Sequence, residues 1–156
     1  MALPLYDRGV TKYHISTILL IDDDEDDRQF FKDALHAVSP QSILKCFYNC
    51  SEALSELEKS PLPDLVFLDL MLHGIDGYDC IKLIKQNPTT KDIPVVVISG
   101  LITPGAMDRL FDLGVSFFIS KPPTFEKLKS VVDKMINTPN IYGARSRELF
   151  FVNEHD

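Results

Sequence analysis

Stretches rich in lysine and arginine are missing from this 156-residue sequence, and its formal net charge is −7. Proteins that bind nucleic acid through its phosphates carry a basic patch or stripe, so the composition argues against a nucleic-acid partner. No apolar run approaches the length that spans a bilayer, which argues against membrane insertion. The first 15 residues lack the apolar core of a signal peptide, because a proline and charged residues interrupt them (Pro4, Asp7, Arg8 and Lys12). We therefore expect a cytoplasmic protein.

Cysteine is also scarce. The three cysteines, Cys46, Cys50 and Cys80, are odd in number and form no C-x-x-C motif. Reduced thiols in a cytosolic protein are the simplest expectation for such a set. Hydrophobic residues make up 45% of the chain, which is typical of a folded globular protein, and the length suits a single domain with a substantial core.

Patterns typical of buried strands and of amphipathic helices alternate five times along the chain. Apolar runs predict strands at residues 17–22, 43–48, 63–71, 94–99 and 115–120. Helical spacing predicts helices at residues 26–38, 51–59, 78–86, 104–114 and 124–136, with Phe30, Leu83 and Phe125 among their apolar residues. This alternation predicts an α/β protein, a (βα)5 doubly wound parallel sheet of five strands in the flavodoxin-like order 2-1-3-4-5.

The alternation also predicts the bounds of the domain. Residues 16–137 form the predicted domain, residues 1–15 an N-terminal arm and residues 138–156 a C-terminal tail. Within the tail, the segment Leu-Phe-Phe-Val at residues 149–152 is apolar enough to dock on this domain or on a partner.

Polar residues stand where four of the predicted strands end. Asp22 and Asp23 close the first strand, Asp69 lies at the end of the third, Ser99 ends the fourth and Lys121 follows the fifth. Because the carboxyl ends of parallel strands share one edge of a sheet, we expect these side chains to lie close together. Clustered carboxylates repel one another unless a cation intervenes, and Mg²⁺ prefers oxygen ligands together with phosphate. The pattern predicts a phosphoryl-transfer site with Asp69 as nucleophile; taken alone, Asp69 fits a helix N-cap equally well.

Five motifs in chain order are similar to those of the receiver domain of bacterial two-component response regulators. They cover about residues 16–137: Ile-Leu-Leu-Ile-Asp-Asp-Asp at 18–24, Asp-Leu-Val-Phe-Leu-Asp at 64–69, Gly-Ile-Asp-Gly at 74–77, Val-Val-Val-Ile-Ser-Gly at 95–100 and Phe-Ile-Ser-Lys-Pro at 118–122. The resemblance implies that Asp69 accepts a phosphoryl group from a histidine kinase or a histidine phosphotransfer protein. A conformational switch would then signal to a protein target.

The resemblance also implies a set of Mg²⁺ ligands. Asp23 would bind the ion directly, Asp22 mainly through water, and the Met71 carbonyl would join them beside Asp69. The acids at residues 24–27 are expected instead to serve the N-terminus of the first helix through its dipole, and not the metal.

Three further roles are implied for residues at the ends of the fourth and fifth strands. The hydroxyl of Ser99 would move onto the phosphoryl group, and the rotamer of Phe118 would follow it, although plain core packing fits Phe118 as well. Lys121 would neutralise charge on the phosphoryl oxygens. In this family the Lys-Pro bond that corresponds to residues 121–122 is typically cis.

The sequence departs from the family at two positions near the site. His73 and Pro123 replace a usual Pro and a usual Phe, and His73 is expected to be a solvated loop residue. Met71 and Leu101 each lie two residues beyond a site residue, and both are apolar. We expect them to shield the acyl phosphate from water, so that Asn and Glu at these positions speed its loss.

Other classes of protein fit the sequence less well. A haloacid-dehalogenase-like phosphohydrolase also uses an Asp nucleophile, Mg²⁺ and a Lys, but residues 22–26 put Asp26 where its motif has Thr or Val. A receiver-like scaffold without phosphorylation would not need the complete set of acid, hydroxyl and lysine. An EF-hand is disfavoured because Asp27 stands where that loop has Gly. A signalling domain rather than an enzyme is therefore expected.

Overall fold

Strands and helices alternate along the chain as predicted. A computed structural model describes residues 15–100, 103–137 and 151–152. Within these ranges the strands are β1 (Thr17–Ile21), β2 (Ile43–Phe47), β3 (Leu65–Leu68), β4 (Val95–Ser99), β5 (Phe117–Ser120) and β6 (Phe151–Val152). The helices are α1 (Glu25–Val38), α2 (Cys50–Leu57), α3 (Gly77–Gln86), α4 (Pro104–Asp112) and α5 (Phe125–Ile136). None of these helices combines the length and apolarity that crossing a membrane requires.

The strands form one parallel sheet in the order β2-β1-β3-β4-β5-β6. The predicted order 2-1-3-4-5 is confirmed, and the short strand β6 adds to the outer edge of β5. The tail thus docks on the domain through Phe151 and Val152, whereas residues 138–150 and 153–156 lie outside the described part. Of the predicted arm only Ile15 is described, and it is buried; the arm and the domain bounds stay predictions.

A half-buried acid joins the starting ends of the two central strands. The Asp64 carboxylate, just before β3, accepts hydrogen bonds from the Ser16 N–H at 2.9 Å, the Thr17 N–H at 3.0 Å and the Ser16 hydroxyl at 3.1 Å. The Asp64 N–H in turn donates to the Thr17 carbonyl at 2.8 Å. These contacts hold β1 and β3 in register at the edge of the sheet away from their carboxyl ends.

The core lies on both faces of the sheet, because successive side chains of a strand point to opposite sides. Leu19 and Val66 pack with α2, α3 and α4 on one face, and Leu20 and Phe67 pack with α1 and α5 on the other. The Phe67 ring meets Phe31 of α1 edge to face, with centroids 4.8 Å apart. Burial of one such side chain contributes about 1.5–3 kcal/mol, so packing on both faces stabilises the sheet that carries the site.

Side-chain caps start all five described helices. Each N-cap side chain accepts a hydrogen bond from a backbone N–H of the first turn, and each such cap is worth about 1 kcal/mol. The caps are Asp24, Asn49, Asp76, Thr103 and Thr124. Pro104 is the first residue of α4, as predicted. Gly114, with φ of +94°, lies just beyond the C-cap, and its backbone conformation ends the helix.

Three apolar helix residues face solvent, contrary to prediction. Phe30, Leu83 and Phe125 are between 39% and 54% exposed. Adjacent residues of a helix point about 100° apart, and in the pairs that include Phe30 and Leu83 a single residue faces the sheet. That residue is Phe31 in α1 and Ile84 in α3, while Phe125 occupies the first position of α5.

The expectation of reduced thiols is wrong for two of the three cysteines. Cys50 and Cys80 form a disulfide, with their Cα atoms 5.9 Å apart, whereas Cys46 is a free, exposed thiol. Cys50 begins α2 and Cys80 lies on the buried side of α3, and both helices pack on the same face of the sheet. This proximity arises from tertiary packing and leaves no trace in the cysteine spacing.

Replacing Cys50 and Cys80 together with Ala should lower the free energy of unfolding by about 2–4 kcal/mol, the usual range for a native disulfide. Urea unfolding of the oxidised protein measures the loss. The matched control Cys46→Ala should stay within about 0.5 kcal/mol of wild type, because it removes an exposed side chain. A titration of the denatured wild-type chain that found all three thiols free would contradict the prediction.

Candidate functional site

The carboxyl ends of four strands bring polar groups to one edge of the sheet. Asp22 directly follows β1, Asp69 follows β3, Ser99 ends β4 and Lys121 follows β5. The Asp69 N–H donates to the Ile21 carbonyl at 2.9 Å, and the Lys121 N–H donates to the Ser99 carbonyl at 3.0 Å. The strand ladder therefore continues into the site, and the backbone at each of these positions is held by its neighbour.

Three carboxylates meet at this edge. Oxygens of Asp22, Asp27 and Asp69 lie within 4.8 Å of one another, and Asp22 and Asp69 are buried. The Lys121 amine lies 3.5 Å from Asp69 Oδ2 and also pairs with the Asp27 carboxylate. One ammonium thus faces three acids. A set of oxygen donors with this excess of negative charge suits a hard divalent cation.

Asp27 is the site residue that the sequence analysis missed. It was assigned with Asp24 to the N-terminus of α1, and Asp24 is indeed the N-cap that accepts from the Asp27 N–H at 2.9 Å. The side chain of Asp27, however, reaches Lys121, so its assignment to the helix end alone was wrong. One signal was available: Asp27 precedes the buried Phe31 by four residues, which places both on the same side of a helix.

Asp23, the expected direct metal ligand, lies outside this group of three. Its Oδ2 accepts a hydrogen bond from the His73 N–H at 3.1 Å and lies against the Nδ1 of the His73 ring. The loop between β3 and α3 therefore closes onto the end of β1. The ring of His73 is 96% exposed, as expected of a loop residue, but its contact with Asp23 was not foreseen.

Burial is the main reason that the pKa of Asp22 rises from its ordinary 3.8 to about 6. The Asp24 N–H donates to Asp22 Oδ1 at 2.9 Å and lowers this pKa, whereas the charge of Asp69 raises it and that of Lys121 lowers it. The raised pKa means that the charged form of Asp22 is incompletely compensated, despite the neighbouring ammonium. A divalent cation would supply the missing positive charge.

Lys121 is held as an ammonium by its acidic surroundings. Burial lowers the pKa of this amine, but the hydrogen bond to Asp27 and the charge of Asp69 raise it more, and the net pKa lies above its usual value. The amine therefore stays protonated at neutral pH, and it provides a fixed positive charge next to Asp69 Oδ2.

The two oxygens of Asp69 have different surroundings. Oδ1 accepts a hydrogen bond from the Met71 N–H at 2.9 Å, and Oδ2 faces Lys121. The Met71 side chain is 60% exposed, and Leu101 lies outside the described residues. The shielding role of these two side chains stays a prediction, as does metal binding by the Met71 carbonyl.

Ser99 and Phe118 are both fully buried. Phe118 packs with the residues of α2, α3 and α4 and with Phe151, which is compatible with a core role and with a switch, so its switch role stays a prediction. The bond between Lys121 and Pro122 is not cis, contrary to the family pattern, and the cis bond among the described residues precedes Pro61. The trans form is the intrinsically favoured one for an X-Pro bond, by about 0.5–1 kcal/mol.

A cleft of about 350 Å³ opens beside the carboxylates. Asp22, Asp69 and Lys121 are among its polar walls, and Phe30 of α1 and Phe125 of α5 are among its apolar walls. These are two of the exposed aromatic residues that were predicted to be buried. Their position gives the Asp69 carboxylate an apolar approach from the side of α1 and α5.

Comparisons with known proteins identify relatives of this chain. The family model described as response regulator receiver domain matches residues 18–133. A probable cyclic di-GMP phosphodiesterase of Vibrio cholerae serotype O1 (strain ATCC 39315 / El Tor Inaba N16961) is 31% identical over 140 residues, covering 90% of this chain and 30% of that protein. The chain therefore spans less than a third of the length of that relative.

Two solved structures are similar over about three quarters of the chain. The phosphorylated cyanobacterial phytochrome response regulator RcpA is 30% identical, with a TM-score of 0.70, and the match covers 76% of this chain and 89% of that chain. The Mn²⁺-bound form of the response regulator Rcp1 is 28% identical, with a TM-score of 0.70, and covers 77% of this chain and 91% of that chain. The likeness thus covers about nine tenths of each of these response regulators.

Proposed function

Because the chain belongs to the family of response regulator receiver domains, which are phosphoacceptor signalling domains, we propose that Asp69 is its phosphoacceptor. The observation that carries this proposal is the place of Asp69 at the carboxyl end of β3. Its Oδ2 lies 3.5 Å from the Lys121 amine, and two further carboxylates lie within 4.8 Å. The donor is a histidine kinase or a histidine phosphotransfer protein.

A Mg²⁺ ion is part of this proposal, because the donor set consists of oxygens and carries excess negative charge. The proposed ligands are Asp22, Asp23, Asp69 and the Met71 carbonyl, with Asp27 as a further acid nearby. When bound, the ion supplies positive charge to the oxygens of the transferring phosphoryl group. The Mn²⁺-bound form of the relative Rcp1 supports the binding of a divalent cation by this family of domains.

The transfer step needs a nucleophile, charge neutralisation and limited access for water. A carboxylate oxygen of Asp69 attacks the phosphorus of a phosphohistidine; the new P–O bond forms as the P–N bond breaks, and the leaving imidazole takes up a proton from solvent. The Lys121 ammonium stabilises the charge on the phosphoryl oxygens. Burial of Asp69 limits the approach of water to the acyl phosphate.

The output of the domain is proposed to be a conformational switch read by a protein target. Ser99 moves its hydroxyl onto the phosphoryl group, and Phe118 responds to the space that this movement leaves. We place the domain in the cytoplasm, where ATP-dependent kinases act. It acts as a signalling module that accepts one phosphoryl group and does not turn over a substrate. The phosphohydrolase alternative is not supported, because the matched family and the similar structures are receiver domains and response regulators.

Acetyl phosphate and intact-mass measurement test the proposal. Wild-type protein with Mg²⁺ should gain one phosphoryl group, and both Asp69→Asn and EDTA should abolish the gain. The control Asp92→Asn changes an exposed acid in the same way and should be labelled like wild type. Labelling that persists in Asp69→Asn, or multiple turnover of a phosphate monoester, would contradict the assignment.

Met71→Asn should shorten the lifetime of the phosphoryl group severalfold. The amide replaces an apolar side chain next to Asp69 and can orient a water molecule towards the acyl phosphate. The decay is followed by intact mass after removal of acetyl phosphate. Met71→Leu, which keeps the apolar character, serves as control and should decay like wild type. Equal or slower decay in Met71→Asn would show that this side chain does not shield the group.

A further inference from the structure

The outer edge of β5 carries a strand from beyond the five predicted βα units. Phe151 and Val152 form β6, which lies parallel to β5 with Phe151 opposite Phe118 and Val152 opposite Ile119. The N–H and C=O groups along the edge of a sheet are a template for an added strand. In this protein a segment of the chain itself occupies the template.

The two residues of β6 are anchored on opposite faces of the sheet. The Phe151 ring packs edge to face on Phe118, with centroids 5.6 Å apart, on the face covered by α2, α3 and α4. Val152 is buried on the other face, in the cluster that contains Ile119. A strand this short has few hydrogen bonds, and small β units are marginally stable by themselves. Its docking therefore depends on these two side chains.

Phe118 lies between β6 and the Asp69 site. It is paired with Val97 of β4, and Ser99 lies two residues further along β4, which places it on the same face of the sheet. Ser99 and Phe118 are both fully buried. Because buried side chains are close-packed, movement of the Ser99 side chain towards Asp69 changes the space available to the Phe118 ring.

We propose that β6 is a latch on the edge of β5 and that phosphorylation of Asp69 releases it. This inference rests on the proposed function. As the Ser99 hydroxyl moves onto the phosphoryl group, the Phe118 ring follows it and separates from Phe151. The segment 151–152 then leaves, and the edge of β5 becomes available to an extended, apolar segment of a partner protein.

Hydrogen–deuterium exchange of the full-length chain with Mg²⁺ and beryllofluoride, a phosphoryl analogue, tests the release. Backbone amides in the peptides that contain residues 117–120 and 151–152 should exchange about two- to tenfold faster in the presence of beryllofluoride. This is the effect expected from the loss of one aromatic pair. The strand β2, at the opposite edge of the sheet, should keep its exchange rate.

The variant Phe151→Ala tests the ring contact. Its residues 117–120 should exchange faster even without beryllofluoride, and beryllofluoride should add little further change. Since coupling between two sites is reciprocal, this variant should also bind beryllofluoride two- to tenfold more tightly than wild type. The control Ile43→Ala removes an exposed apolar side chain from the opposite edge of the sheet and should match wild type in both measurements.

The outcomes separate the latch from the proposed function. If wild-type protein binds beryllofluoride while residues 151–152 exchange at an unchanged or slower rate, the latch is wrong and the phosphoacceptor role stands. Wild-type affinity for beryllofluoride in Phe151→Ala would overturn the latch in the same way. If the chain neither binds beryllofluoride nor is labelled by acetyl phosphate, the proposed function fails and the latch falls with it.

Discussion

Gly77→Ala is expected to lower the free energy of unfolding by about 3 kcal/mol, within the upper part of the range for an overpacked position. Gly77 is buried at the start of α3, and an added Cβ would lie 2.7 Å from the Leu70 Cα and 2.8 Å from the Leu70 carbonyl oxygen. Both atoms belong to the backbone, so no side-chain rotation relieves the clash. Leu70 is flanked by Asp69 and Met71, and its displacement should therefore also disturb the hydrogen bond that holds Asp69 Oδ1.

Urea unfolding measures the loss, and α4 offers a matched control. Gly105 lies in the first turn of α4, and a Cβ added there meets nothing within 4 Å. Gly105→Ala should therefore be neutral or stabilising by up to about 1 kcal/mol, because Ala is the better helix former. Equal stability of the two variants would show that the contact between α3 and the β3–α3 loop is looser than its geometry indicates. Labelling by acetyl phosphate should fall in Gly77→Ala and persist in Gly105→Ala.

Asp22→Asn is expected to change stability in the opposite direction, raising the free energy of unfolding of the metal-free protein by about 2–3 kcal/mol at neutral pH. The folded pKa of Asp22 is about 6 against an ordinary 3.8, and each pKa unit corresponds to about 1.4 kcal/mol. Burial of the charged form is the main cost. Asn removes the charge and keeps an oxygen that can accept the hydrogen bond from the Asp24 N–H.

The gain in stability should depend on pH with a defined sign. Between the unfolded pKa of 3.8 and the folded pKa of about 6, the folded protein binds more protons at Asp22 than the unfolded chain. The contribution of Asp22 to stability is therefore fully present below the lower value and is lost as the pH rises through the higher one. The difference between Asp22→Asn and wild type should be full above about pH 6 and small near pH 4.

Urea unfolding in EDTA at several pH values checks this dependence, with Asp92→Asn as the control for removal of an exposed carboxylate. An advantage of Asp22→Asn that stays constant across this pH range would contradict the account. The effect of Mg²⁺ on the free energy of unfolding is a second test. The ion should stabilise wild type, because ligand binding to the folded state adds to its stability, and it should stabilise Asp22→Asn less, because one negative charge of the site is missing.

The parts of this protein that follow from local periodicity could be predicted from its sequence. The apolar runs of the strands and the apolar faces of the helices are short-range patterns. Parallel strands end along one edge of a sheet, and this rule alone predicts that Asp22, Asp69, Ser99 and Lys121 lie near one another. Helix caps such as Thr124 are also local, since a cap side chain bonds only within its own first turn.

The errors came from contacts between segments that are distant in sequence. Neither the contact of Asp23 with His73 nor that of Asp27 with Lys121 was foreseen, because the direction of each side chain is set by its tertiary partner; metal binding by Asp23 stays a prediction. The Cys50–Cys80 bond and the pairing of β6 with β5 depend in the same way on how separate elements pack. Periodicity within one segment carries no information on such partners.

The contacts of Asp64 have a consequence at the far end of the sheet. By joining the beginnings of β1 and β3, these contacts fix the register of the two strands. The register in turn determines which residues lie side by side at the carboxyl ends. A single residue inserted into β1 beyond this anchor would invert the alternation of its side chains and turn the Asp22 carboxylate away from Asp69. The arrangement of Asp22 and Asp69 therefore depends on the Asp64 carboxylate, which lies a strand length away.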